Sequence, residues 1–289
     1  MIQNYYEKEE EQYFQLIKDI LHNGILEQGR NGNTMSIFGS AMRFSLQDNK
    51  IPLLTSKQLA WKTCLKELLW FISGATDNSI LQEQNVHIWD KDAKKSKEFN
   101  YIENDLGPIY GHQWRHFNAE YTDCKTDYSS KGIDQLQNVI QQLKNHSLSR
   151  RIILTSWNPQ QIDQMVLPPC HVIAQFNVTS NKELSCCLYQ RSGDVGLGVP
   201  FNIASYSFLT HLLATHCGLK AKEFVYIIGN AHIYEEHLEP LKKQIENPLY
   251  DFPTLEIKKK YENIEDYKIN DFEINHYFFN EKIKMNVIV

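Results

Sequence analysis

The sequence predicts one mixed α/β (α+β) domain spanning residues 1–289, and three observations carry that expectation. Apolar residues recur at helical spacing in several separate segments, and strand-like runs rich in Val, Ile and Tyr lie between them. No internal repeat or low-complexity linker divides the chain. Its 289 residues, 42% hydrophobic and 22% charged, suffice for a substantial core.

Taken in order, Tyr13, Leu16, Ile17, Ile20 and Leu21 form the stripe of a first helix, which Asn23-Gly24 should end. Residues 35–46 read as strand material interrupted at Gly39-Ser40. A second helix is expected over 59–72, with Trp61, Cys64, Leu65, Leu68, Leu69 and Ile72 on its apolar side and Gly74 closing it. The polar stretches 91–103 and 118–131 read as surface excursions. Ile133, Leu136, Val139, Ile140 and Leu143 predict a third helix, and 151–157 a strand. Residues 171–178 and 184–190 should form a hairpin about the turn at 180–183. The segment 201–217 is apolar nearly all round and ends at Gly218, as a buried central helix would. A strand over 223–229 and a helix near 235–245 follow.

The net charge is −5, so no global field attracts a nucleic acid or a nucleotide, and an anionic ligand must be held by local arginines. No apolar run, 68–72 included, is long enough to span a bilayer. The first thirty residues lack the basic-then-apolar order of a signal peptide, so a cytoplasmic protein is expected. Six cysteines (Cys64, Cys124, Cys170, Cys186, Cys187, Cys217) show no CxxC spacing. His112 and His116 lack the glutamate of a zincin motif between them. Neither a disulfide framework nor a metal site is expected.

One cysteine stands apart. Cys170 follows two prolines in Leu167-Pro168-Pro169-Cys170-His171, which stiffen the approach to a strand. An ordinary thiol is only a few per cent ionised at neutral pH, and a neighbouring guanidinium would favour its thiolate. The plain alternative is a small core residue, which suits Cys186 and Cys187, expected on opposite faces of one strand. Two arginine clusters fit an anion. Arg150-Arg151 could grip one phosphate together only from a loop or a strand start. Gln190-Arg191-Ser192-Gly193-Asp194 reads as the exit of a strand into a loop with Gly196 and Gly198, where guanidinium, hydroxyl and backbone N–H groups could reach phosphate oxygens. Glu67 lies off the main stripe of its helix, flanked by Cys64, Trp70 and Phe71. Partial desolvation there would raise its pKa towards values useful for proton transfer; the alternative is a surface carboxylate held by a basic neighbour. Asn202 is a natural N-cap after Pro200, or an amide able to pair with a pyrimidine edge. His232 and Tyr234 share one face after a strand ending at Gly229-Asn230, as pocket walls or as plain packing.

The ordered set of 167–171, 188–194, 197–206 and 229–234 resembles the thymidylate synthase family. Glu67-Leu68-Leu69-Trp70-Phe71, Ile88-Trp89-Asp90, the run 105–111 and Ser149-Arg150-Arg151 extend the resemblance over residues 9–289. It implies a sandwich whose large mixed β-sheet forms the interface of a homodimer. It implies conversion of dUMP to dTMP with 5,10-methylenetetrahydrofolate as one-carbon donor and reductant, releasing dihydrofolate. By the same resemblance Cys170 adds to carbon 6 of uracil, and Glu67, Arg191, Asn202, Tyr110 and His171 make up the rest of the catalytic set. Substrate contacts fall to Arg30, Gln190, Arg191, Ser192, Gly193, Asp194, Asn202, His232, Ile233 and Tyr234, with Arg150 and Arg151 supplied by the partner subunit. Folate contacts fall to Lys57, Ile88, Trp89, Asp194, Leu197, Gly198, Phe201, Ile288 and Val289.

The loop at Arg30 is one residue shorter than the common Arg-Thr-Gly-Thr-Gly-Thr form. Asn230 stands where Asp is usual, Cys187 where Gln is usual, and Asp92 where many bacterial members have Trp. No reductase unit precedes the synthase-like region in these 289 residues, so a separate synthase is expected. Two rivals remain open. A dUMP hydroxymethylase of the same superfamily would leave the folate unoxidised, and a silent nucleic-acid-binding scaffold would bind RNA without turnover. Asn202 resembles the uracil-specific pattern, and the acidic charge disfavours the scaffold.

Overall fold

The computed structural model describes residues 8–29 and 31–288. Among the described residues there are eight strands: β1 (Ile25–Gly29), β2 (Gly32–Ser45), β3 (Ile153–Thr155), β4 (His171–Val178), β5 (Glu183–Asp194), β6 (Lys220–Tyr234), β7 (Thr254–Ile257) and β8 (Phe272–Asn275). The first six form one sheet in the order β1-β2-β6-β5-β4-β3, and β7 and β8 pair separately. All neighbours in the large sheet are antiparallel except β5 and β6, which makes it mixed. The helices are α1 (Glu11–Asn23), α2 (Trp61–Ile72), the short α3 (Ser79–Gln82) and α4 (Asp90–Ala93), α5 (Tyr110–His116), α6 (Gln135–Asn145), α7 (Gly198–Cys217) and α8 (Leu238–Gln244).

Local chemistry explains most boundaries. Helix α1 ends at Gly24, whose backbone turns extended (φ −67°, ψ 145°) after its N–H makes the last helical bond, to the Ile20 carbonyl at 2.8 Å; a Cβ there would lie 2.3 Å from that oxygen. Asp134 caps α6 by accepting the Gln137 N–H at 2.9 Å. Ile133 therefore stays outside that helix, 52% exposed and bridged to Phe117, and not in its stripe. Helix α7 is buried along most of its length, as expected of a central helix. The Ser207 and Thr210 hydroxyls satisfy themselves on the carbonyls of Ile203 and Tyr206 at 2.7 and 2.6 Å.

Several elements differ in extent from the expectation. Helix α7 begins at Gly198 with Leu197 before it, so Asn202 sits inside the helix and is not its N-cap. Pro200 is tolerated because first-turn N–H groups have no partner within a helix. Strand β5 runs on to Asp194 and β6 to Tyr234, where strand ends had been expected near Gln190 and Gly229. Strand β3 is shorter, covering 153–155 alone, and 91–103 is no mere surface excursion, since Asp92, Ala93 and Ser96 are buried.

The extensions of β5 and β6 have a common cause. In β6 the inward residues are Phe224, Tyr226 and Ile228, then Ala231 and Ile233. In β2 they are Met42 and Phe44, and before Gly39 they are Met35 and Ile37. In β5 they are Leu184, Cys186, Leu188 and Gln190, then Gly193. Each strand changes its alternation by one residue at the same level, with Phe38 opposite Asn230 and Gln190 opposite Ile228 on either side of the change. Gly39 takes φ +86°, and a Cβ on Gly229 would approach the Arg191 carbonyl oxygen to 2.8 Å. A strict period of two fails here, which is why the strands seemed to stop.

The approach to α2 depends on one buried carboxylate. Glu10, 1% exposed, accepts from the Thr55 N–H and hydroxyl at 2.8 and 2.7 Å and from the Ser56 N–H at 3.0 Å. Glu10→Ala would strand these donors. It is expected to cost about 2–4 kcal/mol, read as a lower urea midpoint at unchanged m-value.

Candidate active site

A cavity of about 360 Å³ opens where β5 and β6 end and β4 and α7 begin. Cys170 stands at its wall, one residue before β4. The Cys170 N–H donates to the Tyr110 hydroxyl at 2.7 Å, and its carbonyl accepts the Arg191 N–H at 2.9 Å. The Arg191 side chain returns to the same turn. Its Nε donates to the Pro169 carbonyl at 2.7 Å and its Nη2 to the Pro168 carbonyl at 2.8 Å, with Nη2 4.0 Å from the Cys170 Sγ. The guanidinium also lies 5.7 Å from the centre of the Trp157 ring. The prolines thus contribute carbonyls as well as stiffness.

Behind the cysteine the site is aromatic and buried. His171 stacks on Tyr110 with ring centres 4.0 Å apart, and its Nδ1 lies 2.9 Å from the Tyr206 hydroxyl. Burial pushes the imidazole down to about 3, so it is neutral at physiological pH. Gln190 accepts the Tyr226 hydroxyl proton at 2.7 Å and donates to the Ser192 carbonyl at 2.8 Å, which fixes the Ser192 backbone. The changed alternation turns Ser192, Asp194, His232 and Tyr234 away from the core, and all four line the cavity. The His232 Nδ1 lies 3.0 Å from the Asn230 Oδ1, and burial lowers its pKa. Asn202 reaches the cavity from the second turn of α7.

Glu67 is one step removed. Its Oε1 accepts the Trp89 indole N–H at 2.7 Å, and Trp89 forms part of the wall. Burial raises the carboxyl from its ordinary 4.5 to about 7, against the lowering effect of the indole hydrogen bond. Its partner is an indole, not a basic neighbour, which favours the desolvated reading over the surface one.

A family model described as "Thymidylate synthase" matches residues 11–289. The chain belongs to the thymidylate synthase family. Among its relatives, the bifunctional dihydrofolate reductase-thymidylate synthase of Zea mays is 49% identical over 289 residues, covering 97% of this chain and 55% of that protein. Proteins of the same description from Plasmodium chabaudi and Leishmania major are 48% and 46% identical, covering 96% and 97% of this chain and 48% and 55% of theirs. The chain therefore spans about half the length of these relatives.

The structure distributes the residues that resemblance to thymidylate synthase singles out over several positions. Cys170, His171, Tyr110, Gln190, Arg191, Ser192, Asp194, Gly198, Asn202, His232, Tyr234, Ile88, Trp89 and Ile288 all line the cavity. Ile233 does not: it is fully buried on the opposite side of β6 from His232. Gly193 likewise faces the core, where a Cβ would meet Val199 and Ile228 at 3.0 and 3.3 Å. Phe201 and Lys57 stand behind the wall, and Leu197, half-buried just before α7, lies off it. The Phe201 carbonyl accepts the Cys64 thiol proton at 3.3 Å, and the Lys57 ammonium holds the Gly196 carbonyl at 2.6 Å, burial lowering it to about 8. Arg150 and Arg151 are exposed in the segment before β3, off the wall. Arg30 and Val289 lie outside the described residues. Asn31, Asp92, Leu167 and Val287 complete the wall; of these, Asn31 and Val287 carried no sequence signal beyond adjacency to Arg30 and Ile288.

The raised carboxyl of Glu67 has a thermodynamic signature. The folded state keeps a proton that the unfolded state releases, so Glu67 makes stability fall as pH rises from about 4.5 to about 7. Glu67→Gln is expected to gain stability relative to the parent across that window and to hold a constant difference above it. Urea midpoints between pH 4 and 9 measure this; parallel curves would contradict it.

Proposed function

We propose that the chain catalyses reductive methylation of dUMP to dTMP, with 5,10-methylenetetrahydrofolate as co-substrate and dihydrofolate as co-product. The observation that carries this reading is Arg191 fixed beside the Cys170 sulfur at the wall of a cavity that also presents Asn202, Ser192, His232 and Tyr234. A cation so placed favours thiolate over thiol. The thiolate adds to carbon 6 of uracil, and carbon 5 bonds the methylene carbon as that carbon's bond to one folate nitrogen breaks. Carbon 5 then loses its proton as the bond to the second nitrogen breaks, and hydride addition to the methylene carbon expels the sulfur and restores the ring double bond. The folate supplies both the carbon and the hydride that completes the methyl group.

The chain's own residues divide the remaining tasks. Asn202 offers donor and acceptor to the pyrimidine edge, and His232 and Tyr234 take the deoxyribose. Arg191 and Ser192 hold phosphate. Glu67, titrating near neutrality, exchanges protons with the ring and the folate by way of the space beside Trp89. Ile88, Trp89, Asp194, Gly198 and the C-terminal residues face the folate. His171 acts as a neutral, stacked support for the Cys170 turn, and Lys57 supports the folate side through Gly196.

The functional unit is a homodimer in the cytoplasm. The face of the sheet turned away from the helices exposes Phe38 (83%), Tyr189 (38%) and Ile227 (37%), apolar surface that a second sheet would cover. In that arrangement the partner's exposed arginines at positions 150 and 151 complete the phosphate site. Among the described residues no helix is long and apolar enough to cross a membrane.

Tritium release from dUMP labelled at carbon 5, followed beside absorbance for dihydrofolate, tests the reaction directly. Cys170→Ser is expected to lower turnover by at least about 10³-fold while dUMP binding by calorimetry changes little; unchanged activity would remove the mechanism. For the shared site, inactive Cys170→Ser chains mixed with inactive Arg150→Glu chains should regain part of the activity. Heterodimers that form and stay silent would place Arg150 outside the partner's site.

A further inference from the structure

The C-terminal segment supplies one wall of the cavity through Val287 and Ile288, and a buried side chain holds it from the residue before them. His237, 1% exposed, sits in the turn between β6 and α8. Its Nε2 is 2.9 Å from the Asn286 carbonyl oxygen. A carbonyl only accepts, so Nε2 carries a proton. The other ring nitrogen faces Asp194, with Nδ1 3.6 Å from Oδ1. The same carboxylate oxygen accepts the Gly196 N–H at 2.9 Å, while Lys57 holds the Gly196 carbonyl at 2.6 Å. Gly196 fits because it has no side chain: a Cβ would lie 2.7 Å from the His237 Nδ1 and 3.2 Å from the Met285 sulfur. One buried imidazole therefore touches a cavity carboxylate, the Gly196 turn and the last turn of chain before the wall.

We propose that His237 is a positioning residue that locks segment 285–288 against the cavity by donating Nε2–H to the Asn286 carbonyl while its Nδ1 side abuts Asp194. The ring is 5.8 Å from Tyr234, itself a cavity residue, which makes the lock continuous with the nucleotide side of the site. The Lys91 ammonium adds an exposed contact to the Val287 carbonyl at 2.6 Å, screened by solvent and unable to replace a buried one. Loss of the imidazole donor removes this bond to the Asn286 carbonyl and releases the wall formed by the next two residues.

Two isosteric variants separate the tie to the tail from the tie to Asp194. In His237→Gln the amide nitrogen can take the place of Nε2; in His237→Asn it can take that of Nδ1. Hydrogen exchange of the ligand-free protein reads the tail without reference to activity. Exchange at the amides of residues 286–288 is expected to quicken by about tenfold or more in His237→Asn and His237→Phe and to stay near parental in His237→Gln. Equal exchange in the Asn and Gln variants overturns the proposal, and this pair suffices should His237→Phe not fold. A kinetic arm rests on the proposed reaction: His237→Asn should raise KM for the folate about tenfold with KM for dUMP within about twofold. Equal effects on both substrates would also overturn it. A parent chain without tritium release would sink the proposed reaction instead, leaving the exchange result to stand alone.

Discussion

The site depends on where one guanidinium is anchored. Arg191 belongs to β5, whereas Cys170 lies in the turn before β4, and the two are joined by hydrogen bonds to consecutive proline carbonyls and by a backbone bond from the arginine to the cysteine. Because proline cannot donate, its carbonyl is the one main-chain group it offers, and here two of them orient a single side chain. The charge is thereby held at the sulfur instead of wandering to a solvated rotamer. An acidic protein gains a local cationic point in this way without changing its overall field.

Around that point the protein sets its titratable groups apart. His171 is kept neutral by burial and spent on stacking, which leaves Glu67 as the group near the cysteine poised to exchange protons around pH 7. The Trp89 hydrogen bond moderates this shift and links the carboxyl to the wall where a second ligand would lie. The titrating carboxyl and the cavity wall are thus joined through a single indole.

Much of this was legible in the sequence. The stripes of α1, α2 and α6 and the apolar α7 followed from their spacing, and the Pro-Pro-Cys turn set Cys170 apart, although only the family resemblance implied a role for it. Residues placed by tertiary geometry were harder to read. Ile233 lies between two cavity residues in sequence and points the other way, as neighbours in a strand must. Asn202 looked like a cap because Pro200 looked like a boundary, yet the helix starts before the proline. The ends of β5 and β6 were misjudged because periodicity was taken to be unbroken. Nothing local tells that three strands change phase together. Lys57 and Phe201 act from behind the wall, a distinction invisible without the packing.

That shared change of phase carries a constraint on how such a chain can vary. Each of β2, β5 and β6 has its extra step at the level where the other two have theirs, so a single-codon deletion in one would set its polar row against its neighbours' apolar row. Restoring the match requires a compensating loss in the same strand or matched losses in all three. The lengths of the stretches from Gln190 to Asp194 and from Gly229 to Tyr234 are therefore tied to one another, whatever the ligand they face.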